Sequence, residues 1–246
     1  MPDQFLGKKR ACVFGASGGI GRAVVQLLME DPGIGQVYTG SRKPVSASGP
    51  HETPFFFDLE DEGSIAEAAG MVAQDGPLDL VLIATGLLHD GTDFQPEKSW
   101  RMQDPKAYQR AFAINATGPA LVGKYFLPLL NRNERSVFAA LSARVGSISD
   151  NRLGGWHAYR ASKAALNMIV RNFATELRVR NANAIAVTLH PGTVDTALSE
   201  PFQLRVTPAK LFTPEQAARQ LLSVMAQLEA ENSGQLMAWD GQVIKP

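Results

Sequence analysis

Ala11-Cys12-Val13-Phe14-Gly15-Ala16-Ser17-Gly18-Gly19-Ile20-Gly21 is the stretch that sets the architecture. Four apolar residues of strand length run straight into a glycine cluster, and from Ile20 to Met29 the apolar positions fall at helical spacing. A chain that leaves a strand and enters a helix within so few residues must turn tightly, which glycines permit. The same glycines let the backbone approach a ligand closely, while the helix start presents unpaired N–H groups and a partial positive charge. The pyrophosphate of a dinucleotide fits such a strand-turn-helix unit, whereas glycines in a plain turn need no helix behind them.

Outward from this unit the same rhythm repeats. Strand-like runs at Gln36 to Thr39, Pro54 to Phe57, Leu78 to Ala84, Ser136 to Leu141, Ala184 to Leu189 and Gln235 to Trp239 alternate with segments of helical period. The helical segments are Ser64 to Ala73, Pro105 to Leu130, Ala158 to Arg180 and Pro214 to Leu228. Strands apolar throughout, each followed by a helix, predict a doubly wound parallel sheet with helices on both faces, a Rossmann-type α/β fold. Lys43 to Thr53 and Thr193 to Phe212 lack a period and read as loops, and because the alternation resumes beyond each, residues 1–246 are expected to form one domain.

Twenty-four basic residues balance twenty-four acidic ones, so the chain has no broad positive field for nucleic acid or an anionic membrane. The one cysteine, Cys12, lies in the first strand and can form no internal disulfide. The four histidines, His51, His89, His157 and His190, show no metal-ligand spacing, so no metal is expected. Met1 to Arg10 has no apolar signal core and no apolar run reaches about eighteen residues, so the expected location is the cytoplasm.

At the end of the second strand the sequence reads Thr39-Gly40-Ser41-Arg42-Lys43, with no carboxylate to bond a ribose 2′-hydroxyl. Arg42, helped by the Ser41 hydroxyl, suits a 2′-phosphate, which favours NADP(H) over NAD; the alternative is that Arg42 and Lys43 are an ordinary solvated pair. In Tyr159-Arg160-Ala161-Ser162-Lys163 the tyrosine and lysine stand at i and i+4, on one helical face. Bringing a phenol pKa from about 10 to about 7 takes roughly 4 kcal/mol, which one cation about 4 Å away supplies at an effective dielectric near 20. Tyr159 is thus expected to give a proton to an oxygen as hydride reaches the adjacent carbon.

With these motifs the chain resembles the short-chain dehydrogenase/reductase superfamily in its single-domain form. The resemblance rests on Gly15, Gly19 and Gly21, on Asn115-Ala116-Thr117-Gly118, on Tyr159 with Lys163, and on Pro191-Gly192, all in the family's order. The tail, Phe212 to Ala218 and Ala238-Trp239-Asp240-Gly241, is similar to the C-factor branch, named for a bacterial cell-to-cell signalling protein. The resemblance implies a catalytic set of Asn115, Ser142, Tyr159 and Lys163, with Asn115 holding a relay water and Ser142 bonding the substrate oxygen; the alternative for Asn115, compatible with the first, is to cap or kink its helix. It also implies a cofactor surface. Gly15, Ser17, Gly18, Gly19, Ile20 and Gly21 would meet the phosphates, Ser41 and Arg42 the adenosine ribose, and Asp58 and Leu59 the adenine. Ala84, Thr85 and Gly86 would line the ribose region, and Pro191, Gly192, Thr193 and Val194 the nicotinamide, which Asn115, Tyr159 and Lys163 also approach.

Two departures stand out. Many relatives carry paired serines after the fifth strand, the second catalytic, where this chain has Ser142-Ala143; Ser147 is therefore the alternative to Ser142. Relatives often have Asn-Ala-Gly where this chain has Ala84-Thr85-Gly86. The function so implied is hydride transfer between NADP(H) and a small carbonyl or alcohol. The rival is an NADP-binding signalling or regulatory protein with little turnover. No Gly-x-Ser-x-Gly elbow supports a hydrolase. Arg144 to His157 and Thr193 to Phe212 are expected to line the substrate pocket, where Trp156 and Phe202 suit an apolar substrate unless they are simply core. The helices Pro105 to Leu130 and Ala158 to Arg180 resemble those through which relatives form dimers or tetramers.

Overall fold

The computed structural model describes residues 8–43, 46–91 and 93–246. The first seven residues and positions 44–45 of the loop Lys43 to Thr53 lie outside the described residues. Ten strands are described: β1 (Lys9–Phe14), β2 (Ile34–Ser41), β3 (Glu52–Phe56), β4 (Leu80–Ile83), β5 (Ser136–Leu141), β6 (Ala184–His190), β7 (Thr193–Val194), β8 (Leu211–Phe212), β9 (Leu236–Ala238) and β10 (Val243–Ile244). Six α-helices accompany them: α1 (Gly19–Glu30), α2 (Glu62–Ala73), α3 (Pro105–Phe112), α4 (Gly118–Phe126), α5 (His157–Arg180) and α6 (Pro214–Gln227).

The main sheet has the order β10-β9-β6-β5-β4-β1-β2-β3. Its pairs are parallel except β10 on β9, an antiparallel edge that the sequence alternation did not reveal. Alternate residues of the strands feed two separate cores. Phe14, Phe138 and Ala186 face α2, α4 and α5, while Val13, Ala139 and Val187 face α1 and α6. Burial on both faces is why these strands read as continuous apolar runs. The order reverses between β1 and β4, so the chain leaves their carboxyl ends in opposite directions and opens a crevice there. Among the described residues no helix is long and apolar enough to cross a membrane.

Two stretches differ from the sequence reading. The helix expected over Pro105 to Leu130 is interrupted. After α3 the backbone widens into a π-helical turn over Ala113–Thr117, continues as α4, and ends in a 3-10 turn, Leu127–Leu129. Pro119 has no N–H for the carbonyl of Asn115, and a π turn relieves that mismatch. The Asn115 side chain fixes the place, because its Oδ1 accepts from Leu87 N at 2.8 Å and its Nδ2 donates to Leu87 O at 2.8 Å and to Ser162 Oγ at 3.1 Å. The segment Thr193 to Phe212 is likewise more than an open loop. β7 and β8 pair in parallel at its two ends and pin it shut, with 3-10 turns at Glu200–Arg205 and Pro208–Lys210 between them.

Candidate active site

The glycine turn lies at the switch point, between the ends of β1 and β4. Gly15 has φ of +84°, a conformation that strains a side-chain-bearing residue. A Cβ on Gly21 would run into the Gly15 carbonyl oxygen, so the helix packs on the turn only because Gly21 has none. Gly18 precedes α1 without a side-chain cap and no acidic residue occupies the first turn, which leaves the helix N-terminus open to an anion.

Two cavities meet over this turn, sharing Gly18, Ala84, Thr85 and Gly86. The smaller, about 270 Å³, is lined by Gly15, Ser17, Ser41, Arg42, Asp58 and Leu59, together with Phe57, Arg110 and Ile114. The larger, about 540 Å³, is lined by Gly19, Ile20, Ser142, Tyr159 and Lys163 and by Pro191, Gly192, Thr193 and Val194. The sequence-derived residues are thus gathered on one continuous groove, with two exceptions. Gly21 and Asn115 stand behind its wall, the first under the turn and the second inside the π turn. A groove of this length, glycine-floored at the phosphate position, fits a dinucleotide. The buried Thr85 hydroxyl, which has no protein partner, points the same way.

The larger cavity holds the candidate catalytic pair. Tyr159 and Lys163 are 8% and 3% exposed, and the Lys163 Nζ lies 5.9 Å from the centre of the Tyr159 ring while donating to Leu141 O at 2.8 Å. Burial dominates their titration: it pushes the phenol well above its ordinary value and the ammonium down to about 7. Burial thus acts on the phenol in the direction opposite to the lysine effect expected from the sequence.

The serines separate cleanly. Ser142 borders the cavity, but its hydroxyl donates to Asn167 Oδ1 at 2.8 Å. Ser147 is buried elsewhere, donating to the Lys245 carbonyl at 2.5 Å and accepting from Asp150 N at 3.1 Å. Ala143, not a serine, supplies the neighbouring lining position.

Trp156 and Phe202 are pocket wall rather than core: their rings meet at 4.9 Å, Trp156 stands 6.2 Å from Tyr159, and His89 packs edge-on against Phe202 at 5.6 Å. Leu88, Val145, Leu198 and Val206 complete an apolar surround. The sequence reading gave His190 no role in this cavity. It lines the pocket with its Nδ1 buried and unpartnered, and burial first, then the Arg144 charge, lowers its pKa to about 4 against the opposing pull of Asp240. The strand alternation was the available signal, since it puts Ala186, and hence His190, on the face that carries α5.

A sheet wound in this order, with a glycine turn at its reversal and an ionisable pair at the far end of the groove, is a Rossmann-type dinucleotide-binding fold. The chain belongs to the short-chain dehydrogenase family, whose model matches residues 9–206. An uncharacterized oxidoreductase of Schizosaccharomyces pombe is 28% identical over 254 residues, spanning 94% of this chain and 96% of its own. The C-signal protein of Myxococcus xanthus is 39% identical over 132 residues, 54% of this chain and 74% of that protein, in keeping with a C-factor-like branch. The NADPH-bound carbonyl reductase from chicken fatty liver has a similar structure, with a TM-score of 0.84 at 24% identity over 98% of this chain and 95% of that one. The carbonyl reductase Sniffer of D. melanogaster gives 0.83 at 19% identity over 97% and 99%.

Proposed function

We propose that the protein is an NADP(H)-dependent reductase of small apolar carbonyl compounds, working in the cytoplasm with residues 1–246 as one catalytic unit. The observation that carries this reading is the burial of Tyr159 and Lys163 together in the apolar cavity continuous with the glycine turn. The NADPH-bound state of the chicken carbonyl reductase supports the choice of cofactor, as does the carboxylate-free end of β2.

When bound, NADPH supplies the hydride. The glycine turn from Gly15 to Gly21 would hold its phosphates, Ser41 and Arg42 its 2′-phosphate, and Asp58 and Leu59 its adenine. Ala84, Thr85 and Gly86 would flank the ribose region, and Pro191, Gly192, Thr193 and Val194 the nicotinamide. Tyr159 gives its proton to the substrate oxygen; its raised pKa keeps it protonated at neutral pH, the form a reductase needs. Lys163, whose pKa burial lowers to about 7, would return a proton toward Tyr159. Asn115 orders the path by tying the Leu87 loop to Ser162 of α5. Ser142 can donate to the substrate oxygen only by releasing Asn167, and Ser147, bonded to the Lys245 carbonyl, does not line the cavity.

The test is NADPH oxidation across aryl and alkyl aldehydes and ketones, repeated with Tyr159→Phe. That variant should still bind NADPH while turnover falls by about 10²-fold to 10⁴-fold, the usual cost of losing a general acid. Wild-type rates in Tyr159→Phe would overturn the chemistry. The likeness to C-signal favours a second reading, a signalling protein that binds NADPH without turnover, and saturable NADPH binding with no reduced carbonyl would select it.

A further inference from the structure

Helix α5 carries the Tyr159 and Lys163 pair, yet it begins without a cap of its own. Its N-cap residue is Trp156, whose side chain offers no acceptor, and the first amides of a helix have no partner within it. The chain reaches Trp156 through three successive residues in the left-handed region, Gly154 at φ +63°, Gly155 at φ +66° and Trp156 at φ +51°. For glycine that conformation is free. For a bulky side chain it is strained and persists only where the surroundings enforce it.

The enforcing group is Glu97, which comes from the loop between β4 and α3 and is 3% exposed. Its backbone carbonyl accepts from Trp156 N at 2.5 Å, and both carboxyl oxygens lie 3.3 Å from Ala158 N. One residue therefore grips α5 on either side of its first position, and Tyr159 follows immediately. The grip is packed in place: Ala158 is buried with Phe94, Ala107 and Ala111 in a small apolar cluster. A side chain on Gly155 would press on the Glu97 carbonyl, so the left-handed turn and the grip fit together.

From this geometry we infer that Glu97 is a positioning residue: its carboxyl caps the catalytic helix in place of a local N-cap, holding Trp156 as pocket wall and Tyr159 at its working depth. The burial of this carboxyl follows from the role. A buried carboxyl group is costly unless its oxygens are bonded, and here both approach the amide that the helix leaves open. The inference extends the reductase reading, since it concerns the residue that would deliver the proton.

Two variants of nearly equal size separate capping from packing. Glu97→Gln keeps an acceptor oxygen; Glu97→Met fills the space without one. With a ketone that the wild type reduces, Glu97→Met should lower kcat by about tenfold or more with little change in KM, because the acid is misplaced rather than the substrate lost. The NADPH dissociation constant should stay within about twofold, and Glu97→Gln should recover most of kcat. Amide hydrogen exchange supplies a readout that needs no substrate. Residues 154–162 should exchange faster in Glu97→Met and at near wild-type rates in Glu97→Gln, with residues 166–177 unchanged in both. Equal behaviour of the two variants, or wild-type exchange in Glu97→Met, overturns the cap. If Glu97→Met does not fold, Glu97→Asp, which withdraws the carboxyl by one methylene, must show the same local exchange increase, and its absence overturns the inference. A wild type that turns over no carbonyl counts against the reductase reading, and the exchange result then decides the cap by itself.

Discussion

Ser41 ends β2 and Arg42 follows it, where a dinucleotide-binding protein selecting NAD would present a carboxylate, and both border the smaller cavity. The guanidinium can form charge-assisted bonds to a 2′-phosphate, and an aspartate there would repel it. Arg42→Asp should therefore weaken NADPH by about 10²-fold while leaving NADH within a few-fold, measured as dissociation constants by nucleotide fluorescence. Equal losses for the two cofactors, or a wild-type preference for NADH, would end the NADP assignment. Single residues also mark where the sequence was silent. That Tyr159 and Lys163 share a helical face follows from their spacing, but their burial, and with it the direction of both titrations, depends on how α5 meets β5 and the loop carrying Glu97. The Ser142 hydroxyl is committed to Asn167, twenty-five positions away, a pairing that no local pattern announces.

At the scale of elements, the alternation of strands and helices was legible because parallel strands buried on both faces leave continuous apolar runs. The π turn was legible only in part: Pro119 announces a break in the helix, but its place is fixed by bonds from Asn115 to Leu87 and Ser162, 28 and 47 positions distant. The segment Thr193 to Phe212 was legible only as aperiodic. Its closure depends on β7 meeting β8 across 16 intervening positions and on His89, whose Nε2 lies 3.1 Å from Ala197 O and 3.2 Å from Leu198 O. Because Thr196 lies against Gly19 of the turn and Thr193, Val194, Ala197 and Leu198 line the groove, this segment should gain order when the groove fills. Hydrogen exchange over residues 193–212 should slow markedly on adding saturating NADPH, and identical exchange in both states would remove the segment from the site.

Across the whole molecule, the candidate site is a place where burial costs stability. Lys163 must leave water to reach the cavity, and its pKa falls to about 7 in the folded protein against about 10.4 in an unfolded chain. Between those values the unfolded state binds more protons than the folded one, so this lysine makes stability rise with pH from about 7 upward. Below about pH 7 both states are protonated, and the full cost of a buried ammonium is present. Tyr159 has the opposite sign, its raised pKa eroding stability only above its ordinary value of about 10, outside the useful range. Lys163→Met fills a similar volume and has no proton to lose, although it forgoes the bond to the Leu141 carbonyl. Denaturant unfolding of both proteins without NADPH, at intervals from pH 6.5 to 9.5, isolates the lysine, because the other titrating groups cancel in the difference. Wild-type stability should climb relative to Lys163→Met by on the order of 2 kcal/mol between pH 7 and 9, with the variant at its greatest advantage at the acid end. A difference that does not change with pH would mean that Lys163 keeps an ordinary ammonium in the fold, and Tyr159 would then have the full cation beside it that the sequence alone suggested.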